Sequence, residues 1–196
     1  ADTGNAYNYM PAVGEAGVDI GRAFPARVEL VETTPLSQAV RLTWEAQLSD
    51  HYDFSSQRRS GLTQSNRIEL TCRLDKAQRQ LDLEVDVDNR SRDHRLRLLV
   101  HTGLQTDFMQ SSQPFDLVRR SRRDPWVRLH QDPSEPTSGL VRVQDDQHSL
   151  TLLTEGLYAC EHMTGARGTL AVTLVRATGV ITAEDRRIDP PAEWVS

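Results

Sequence analysis

Asp88-Asn-Arg-Ser-Arg-Asp-His-Arg-Leu-Arg97 separates two runs of alternating apolar and polar residues, and its reading decides how the whole chain is built. Upstream, Leu81, Leu83, Val85 and Val87 recur at every second position; downstream, Leu96, Leu98 and Val100 do the same. A period of two places successive side chains on opposite faces, as in a half-buried strand. The stretch therefore reads as a hairpin connection on an all-β scaffold. It holds four arginines, two aspartates and a histidine, which is more chemistry than a connector requires.

Working outward, the same period recurs on both sides. Val28 and Leu30 open one strand; Val40, Leu42, Trp44, Ala46 and Leu48 form a second; Ile68, Leu70, Cys72 and Leu74 form a third. Asp75-Lys-Ala-Gln78 is short and polar between two such runs, so it reads as a tight turn pairing the Cys72 strand with the Val85 strand. Further strands are expected over 140–143, 150–153 and 170–176. No segment holds a helical period over three turns, and no internal repeat is present. Many strands joined by short turns define an all-β, antiparallel β-sandwich. Residues 1–26 read as a leading loop, 27–182 as the sandwich, and 183–196 as a polar tail with Pro190-Pro191, the ending of a domain cut from something larger. The stretch from Gly103 to Pro136, interrupted by Pro114, Pro125 and Pro133, reads as one long irregular loop of the kind that often carries function.

The chain has 196 residues, enough for a β domain that buries about 70% of the surface its unfolded form exposes. Charged residues make up 26% and hydrophobic residues 37%, a globular balance. The net charge is −5 and the arginines are interspersed with carboxylates, which argues against a nucleic-acid partner. No apolar run is long enough for a membrane span and the start lacks an export signal, so a soluble, cytoplasmic chain is expected. Cys72 and Cys160 sit far apart at apolar phases of strand-like segments and read as small buried hydrophobes, compatible with a reducing compartment.

The six histidines, at 51, 94, 101, 130, 148 and 162, show no spacing that would set two imidazoles on one face, so no protein-only zinc site is expected. No G-x-S-x-G, phosphate-loop or dinucleotide glycine motif occurs. Two groups stand out. Asp2-Thr-Gly-Asn-Ala-Tyr-Asn-Tyr-Met-Pro11 offers acceptors, amide donors and aromatic faces suited to sugar hydroxyls and C–H faces; its plainer reading is an Asx-rich turn. Arg119 and Arg120 head a basic cluster that either clamps hydroxyls or a carboxylate, or is a solvated face. Asp93, His94 and Arg95 read either as chemistry or as a hydrogen-bonded knot fixing the turn.

Several ordered blocks resemble one family. Asp2-x-Gly4-Asn5-x-Tyr7-Asn8-Tyr9-x-Pro11 is similar to the D-x-G-D-x-Y-N-[FY]-x-P stretch of bacterial family 38 glycoside hydrolases, the α-mannosidases and mannosylglycerate-hydrolysing relatives. Asn89-Arg90-x-x-Asp93-His94-Arg95-Leu96-Arg97 resembles the N-R-x-x-D-H-R-L-R block of their C-terminal β region. Gln113-Pro-Phe-Asp116, Glu155-Gly-Leu-Tyr158 and the run from Leu170 to Gly179 follow in the family's order. Asn5 stands where the family carries Asp, and Ala159-Cys160 where Glu-Tyr is usual.

The resemblance implies a supersandwich related to the galactose-mutarotase-like fold, placed after a catalytic α/β-barrel and a helical domain of the same polypeptide. It implies retaining hydrolysis of α-mannosidic bonds in the full-length enzyme. The nucleophile and the ligands of a zinc or other divalent ion would lie in the barrel, so this segment would hold no catalytic residue, bind no cofactor and be inactive alone. Tyr7 would reach the mannose-containing oligosaccharide, with Asp2, Asn5 and Asn8 supporting its loop and Arg119 or Arg120 as a second contact. Asn89, Arg90, Asp93, His94 and Arg95 would be architectural. A non-catalytic mannose-binding module using Trp44 or Trp126, and an oligomerisation domain, are the alternatives.

Overall fold

Alternation makes strands, and polar partners decide where each strand goes. The computed structural model describes residues 2–4, 10, 12, 14–121, 134–163 and 168–179. The chain divides between Asp93 and His94 into two compact units, the N-terminal residues from Asp2 belonging with the second.

In the first unit, a single helical turn, α1 (Ile20–Ala23), precedes β1 (Arg27–Thr33) and β2 (Ser37–Ser49). A small hairpin of β3 (Tyr52–Asp53) and β4 (Arg58–Arg59) is followed by β5 (Thr63–Asp75) and β6 (Leu81–Asp88). The four long strands form an antiparallel sheet in the order β1-β2-β5-β6. The turn after Asp75 pairs Cys72 with Leu83 as the sequence indicates, with the Gln78 amide donating to the Asp75 carbonyl at 3.1 Å.

Register sorts this sheet into two chemically distinct faces. Rows Val28–Leu42–Leu70–Val85 and Leu30–Val40–Cys72–Leu83 run across all four strands on one face. The opposite face is polar: Arg67 pairs with Glu69 at 2.6 Å, Thr43 donates to Glu69 at 3.2 Å, and Arg73 pairs with Glu32. Exposed pairs of this kind contribute little stability individually, but they satisfy the polar side of the sheet.

The second unit is the sandwich. One sheet combines β7 (His94–His101), β10 (Glu135–Pro136), β13 (Ala159–Met163) and β14 (Thr169–Ala177) in the order β10-β13-β14-β7. The other combines β8 (Phe108–Gln113), β9 (Asp116–Ser121), β11 (Leu140–Gln144) and β12 (Ser149–Leu153) in the order β12-β11-β8-β9. Their inner faces meet in a core of Met109, Val141 and Val143 against Cys160, Leu170 and Val172, with Leu104 beside them and Val100, Leu150 and Leu152 at its margin. Gly168 is required where it stands: its φ is +51° and a Cβ there would lie 2.1 Å from the Leu104 carbonyl oxygen.

Two expectations are corrected. The Asp88–Arg97 stretch is not a hairpin connection: β6 bonds to β5, while β7 bonds to β14. Alternation reports which faces a strand shows and is silent about its neighbour, and here buried partners in the first unit capture the connecting residues. Gly103–Pro136 is not one irregular loop either, because β8 and β9 form a hairpin closed through Pro114 and Phe115. Its period was hidden by Ser111 at an inward position and by charged residues along β9. Both cysteines are free, and Cys160 is buried with its thiol pushed up to about 12, burial being the main cause. Among the described residues no helix is long and apolar enough to cross a membrane.

Candidate functional site

At the junction, the sequence supplies short polar side chains and the fold buries them. The Asn66 side chain, carried on β5, accepts from the Arg90 amide at 2.8 Å and the Ser91 amide at 3.2 Å. Its Nδ2 donates to Ser91 Oγ at 2.9 Å and to the Gln64 carbonyl at 3.1 Å. Asp93, with φ +54°, accepts from the Tyr52 amide at 3.1 Å. Arg59 donates to the carbonyls of Arg92 and Asp93 at 3.0 and 2.8 Å. Burial pulls the Arg59 pKa below its usual range, opposed by Glu15 and Asp93. Asn89 donates to the Ser91 carbonyl at 3.1 Å, and Arg90 pairs with Asp88 at 2.7 Å.

Asp50 closes the network. It receives His51 Nδ1 at 2.7 Å, Gln64 Nε2 at 3.0 Å and Arg92 at 3.4 Å, and these bonds, His51's first, hold its carboxyl below the usual range. His94 and Arg95 open β7 in the second unit, where His94 stands opposite Ala177 and Arg95 donates to Ser134 Oγ at 2.9 Å. The junction is thus a satisfied hydrogen-bond network that fixes backbone. Its anchors Asn66 and Arg59 carried no sequence signal, being ordinary polar residues until the fold brings residues 25 and 34 positions apart together.

In the second unit, Asp2 has no exposed surface. Its carboxylate accepts from the amides of Gly4 at 3.0 Å and Met10 at 3.3 Å and pairs with Arg176 at 2.7 Å. Thr178 Oγ1 donates to the Gly4 carbonyl at 2.8 Å. Asp2 therefore ties Gly4 and Met10 to the end of β14, and its oxygens are engaged in holding backbone. Asn5, Tyr7 and Asn8, between those anchors, lie outside the described residues, as does Trp126. Arg176 is visible in the sequence only as one member of the family block from Leu170 to Gly179.

Arg119 and Arg120 point to opposite faces of β9, as adjacent strand residues must. Arg120 lies opposite Met109 on the inner side and pairs with Glu135 at 3.0 Å. Arg119 lies opposite Gln110 on the outer side, its guanidinium carbon 3.7 Å from the centroid of the Phe108 ring. The two are separate sites, not one clamp. Among the described residues no group of three or more histidine, cysteine, aspartate or glutamate side chains gathers to hold a metal.

The fold places the chain in a class, that of antiparallel all-β domains. More particularly, the chain belongs to the glycosyl hydrolase family 38 C-terminal domains, whose family model matches residues 1–180. It is similar to an α-mannosidase from Enterococcus faecalis V583, at 25% identity and a TM-score of 0.81 over 91% of this chain. It is also similar to a glycosyl hydrolase family 38 protein from Enterococcus faecalis, at 25% identity and a TM-score of 0.78, again over 91% of this chain. The chain spans 21% and 22% of those two chains, about a fifth of their length. No curated protein matches it.

Proposed function

We propose that this domain serves an α-mannosidase, a retaining hydrolase of α-mannosidic bonds, and that within the longer polypeptide it supplies structural support and contacts to a mannose-containing oligosaccharide. The observation that carries this reading is the family match over residues 1–180, joined to structural likeness to an α-mannosidase across 91% of the chain. The support role has its own basis in the first sheet. Val28, Leu30, Leu74 and Leu81 on its apolar face are 63, 64, 55 and 55% exposed. A contiguous apolar sheet face of this kind marks an interaction surface, and other parts of the same polypeptide are the partner we assign to it.

Sugar contact is assigned to Tyr7 by family resemblance, and the anchoring of Gly4 and Met10 by Asp2 supports it, since the amides at both ends of that segment donate to a buried carboxylate that Arg176 pairs. In the full-length polypeptide, Tyr7→Ala should lower kcat/KM for an aryl α-mannoside by about tenfold or more with the thermal midpoint unchanged. Unaltered kinetics would remove Tyr7 from the site. Zinc, the barrel and the helical domain belong to the same proposal and are sought in the remainder of the polypeptide; the isolated 196-residue chain is expected to hydrolyse no α-mannoside.

A further inference from the structure

The outer face of the β12-β11-β8-β9 sheet carries a polar cleft of about 460 Å³, lined by residues of β8, β9 and β11 and by the segments next to them. Its volume falls in the range of small-ligand sites, but its walls are polar where most such sites are apolar. Register explains the lining. Arg142 on β11 stands opposite Gln110 on β8, which stands opposite Arg119 on β9. Three long polar side chains thus form a row across three strands, at intervals of about 5 Å. Phe108, Gln144 and Asp146 complete the walls.

Two features of the arginines separate this cleft from an ordinary solvated face. Arg142 Nε is buried and has no hydrogen-bond partner among the described residues. A buried guanidinium N–H without an acceptor is costly, and such groups call for a ligand or ordered solvent. Arg119 is stacked on Phe108 at 3.7 Å, an arrangement that holds the guanidinium plane by cation–π attraction and leaves its in-plane N–H groups available to a neighbour.

The charge balance indicates what kind of ligand fits. Arg119 and Arg142 are matched by Asp145 and Asp146 on the same cleft, so an anion would meet two carboxylates as well as two cations. Asp145 Oδ1 already accepts from the amides of Gln147 at 2.9 Å and His148 at 2.8 Å, which fixes the turn. The glutamine amides each offer donors and an acceptor. Hydroxyl groups, which donate and accept together, match such a mixed lining better than a carboxylate or phosphate does.

We propose that this cleft is a saccharide-binding subsite taking a neutral sugar unit, with Arg142 Nε and the in-plane donors of Arg119 directed at ring hydroxyls and with Gln110 and Gln144 bonding beside them. It rests on the carbohydrate reading above and deepens it, since it adds a sugar contact on the outer face of a sandwich sheet to the one assigned to the N-terminal segment.

The test is calorimetric titration of the full-length polypeptide with thio-linked α-mannobiose, which resists hydrolysis, and separately with inorganic phosphate. Arg142→Met and Gln144→Ala should each weaken the saccharide-binding event by about tenfold, while kcat/KM for a short aryl α-mannoside stays within about twofold of wild type. Gln144 is exposed, so Gln144→Ala decides the matter if Arg142→Met fails to fold. Saccharide affinity unchanged in both variants, or in Gln144→Ala where only that variant folds, overturns the subsite. So does phosphate binding that depends on Arg142 while saccharide binding does not, because the cleft is then an anion site. If the polypeptide hydrolyses no α-mannoside but cleft-dependent saccharide binding persists, the subsite stands and the activity reading falls. Normal hydrolysis without cleft-dependent binding removes the subsite alone.

Discussion

At the scale of single residues, Asn66 illustrates how a side chain without distinction in the sequence becomes a structural centre. It is buried, 2% exposed, and its amide bonds two backbone N–H groups and a hydroxyl of the junction. Asn66→Ala removes the acceptor but leaves the Arg90 and Ser91 amides in place, so it should cost about 2–3 kcal/mol, measured by denaturant unfolding at constant m-value. A loss below about 0.5 kcal/mol would show that water replaces the amide freely. Asp50, a neighbour in the network, gives the junction a pH dependence. Its carboxyl is held below the usual range chiefly by His51, then by Gln64 and Arg92, so its folded pKa lies under the unfolded value of about 3.9. The stability it contributes is present above that unfolded value and is lost as pH falls through the folded one. Asp50→Asn should therefore lower the thermal midpoint at pH 7, and the gap to wild type should close as pH drops below about 4. A gap that persists at low pH would assign the loss to altered hydrogen bonding rather than charge.

At the scale of elements, the β8–β9 hairpin shows both what the alternation hides and what it costs. Ser111 faces inward between Val118 and Val141 with no exposed surface, and its hydroxyl has no hydrogen-bond partner among the described residues. Ser111→Ala removes an unsatisfied buried group with little change of volume, so stability should rise by about 1 kcal/mol; a loss of that size would mean the hydroxyl is paired. The same serine explains why the sequence shows no strand period here, since a polar residue at an inward position erases a period that spans only six residues. Strands β2 and β5, each thirteen residues long, were legible because their apolar rows run unbroken through several positions. The connection from β6 to β7 was not legible, since its course depends on Asn66, Arg59 and Tyr52, which lie far off in sequence. The candidate site divides the same way. Asp2 stood out within an unusual opening stretch, whereas Arg142 and Gln110 meet only through register and look like ordinary outward strand residues until then.

At the scale of the whole molecule, the first sheet poses a question of solvation that the chain by itself does not answer. Its polar face is covered with ion pairs, while its apolar face leaves Val28, Leu30, Leu74 and Leu81 more than half exposed and Leu83 39% exposed. Single exposed leucines are ordinary, but five exposed apolar residues on one sheet face, four of them on the edge strands β1 and β6, mark an interaction surface. The matched α-mannosidase is about five times longer than the aligned domain, and under the proposed function another part of such a polypeptide covers this face. If that is its role, charge placed on the face should act differently in two contexts. Leu30→Glu combined with Leu81→Lys should leave the unfolding free energy of the isolated chain within about 1 kcal/mol and reduce its aggregation, because both positions are solvated there. In the full-length polypeptide the same pair should lower the thermal midpoint and increase binding of a hydrophobic dye, since two charges would then be forced against apolar surface. Equal behaviour in both contexts would show that the face is not covered by the rest of the polypeptide.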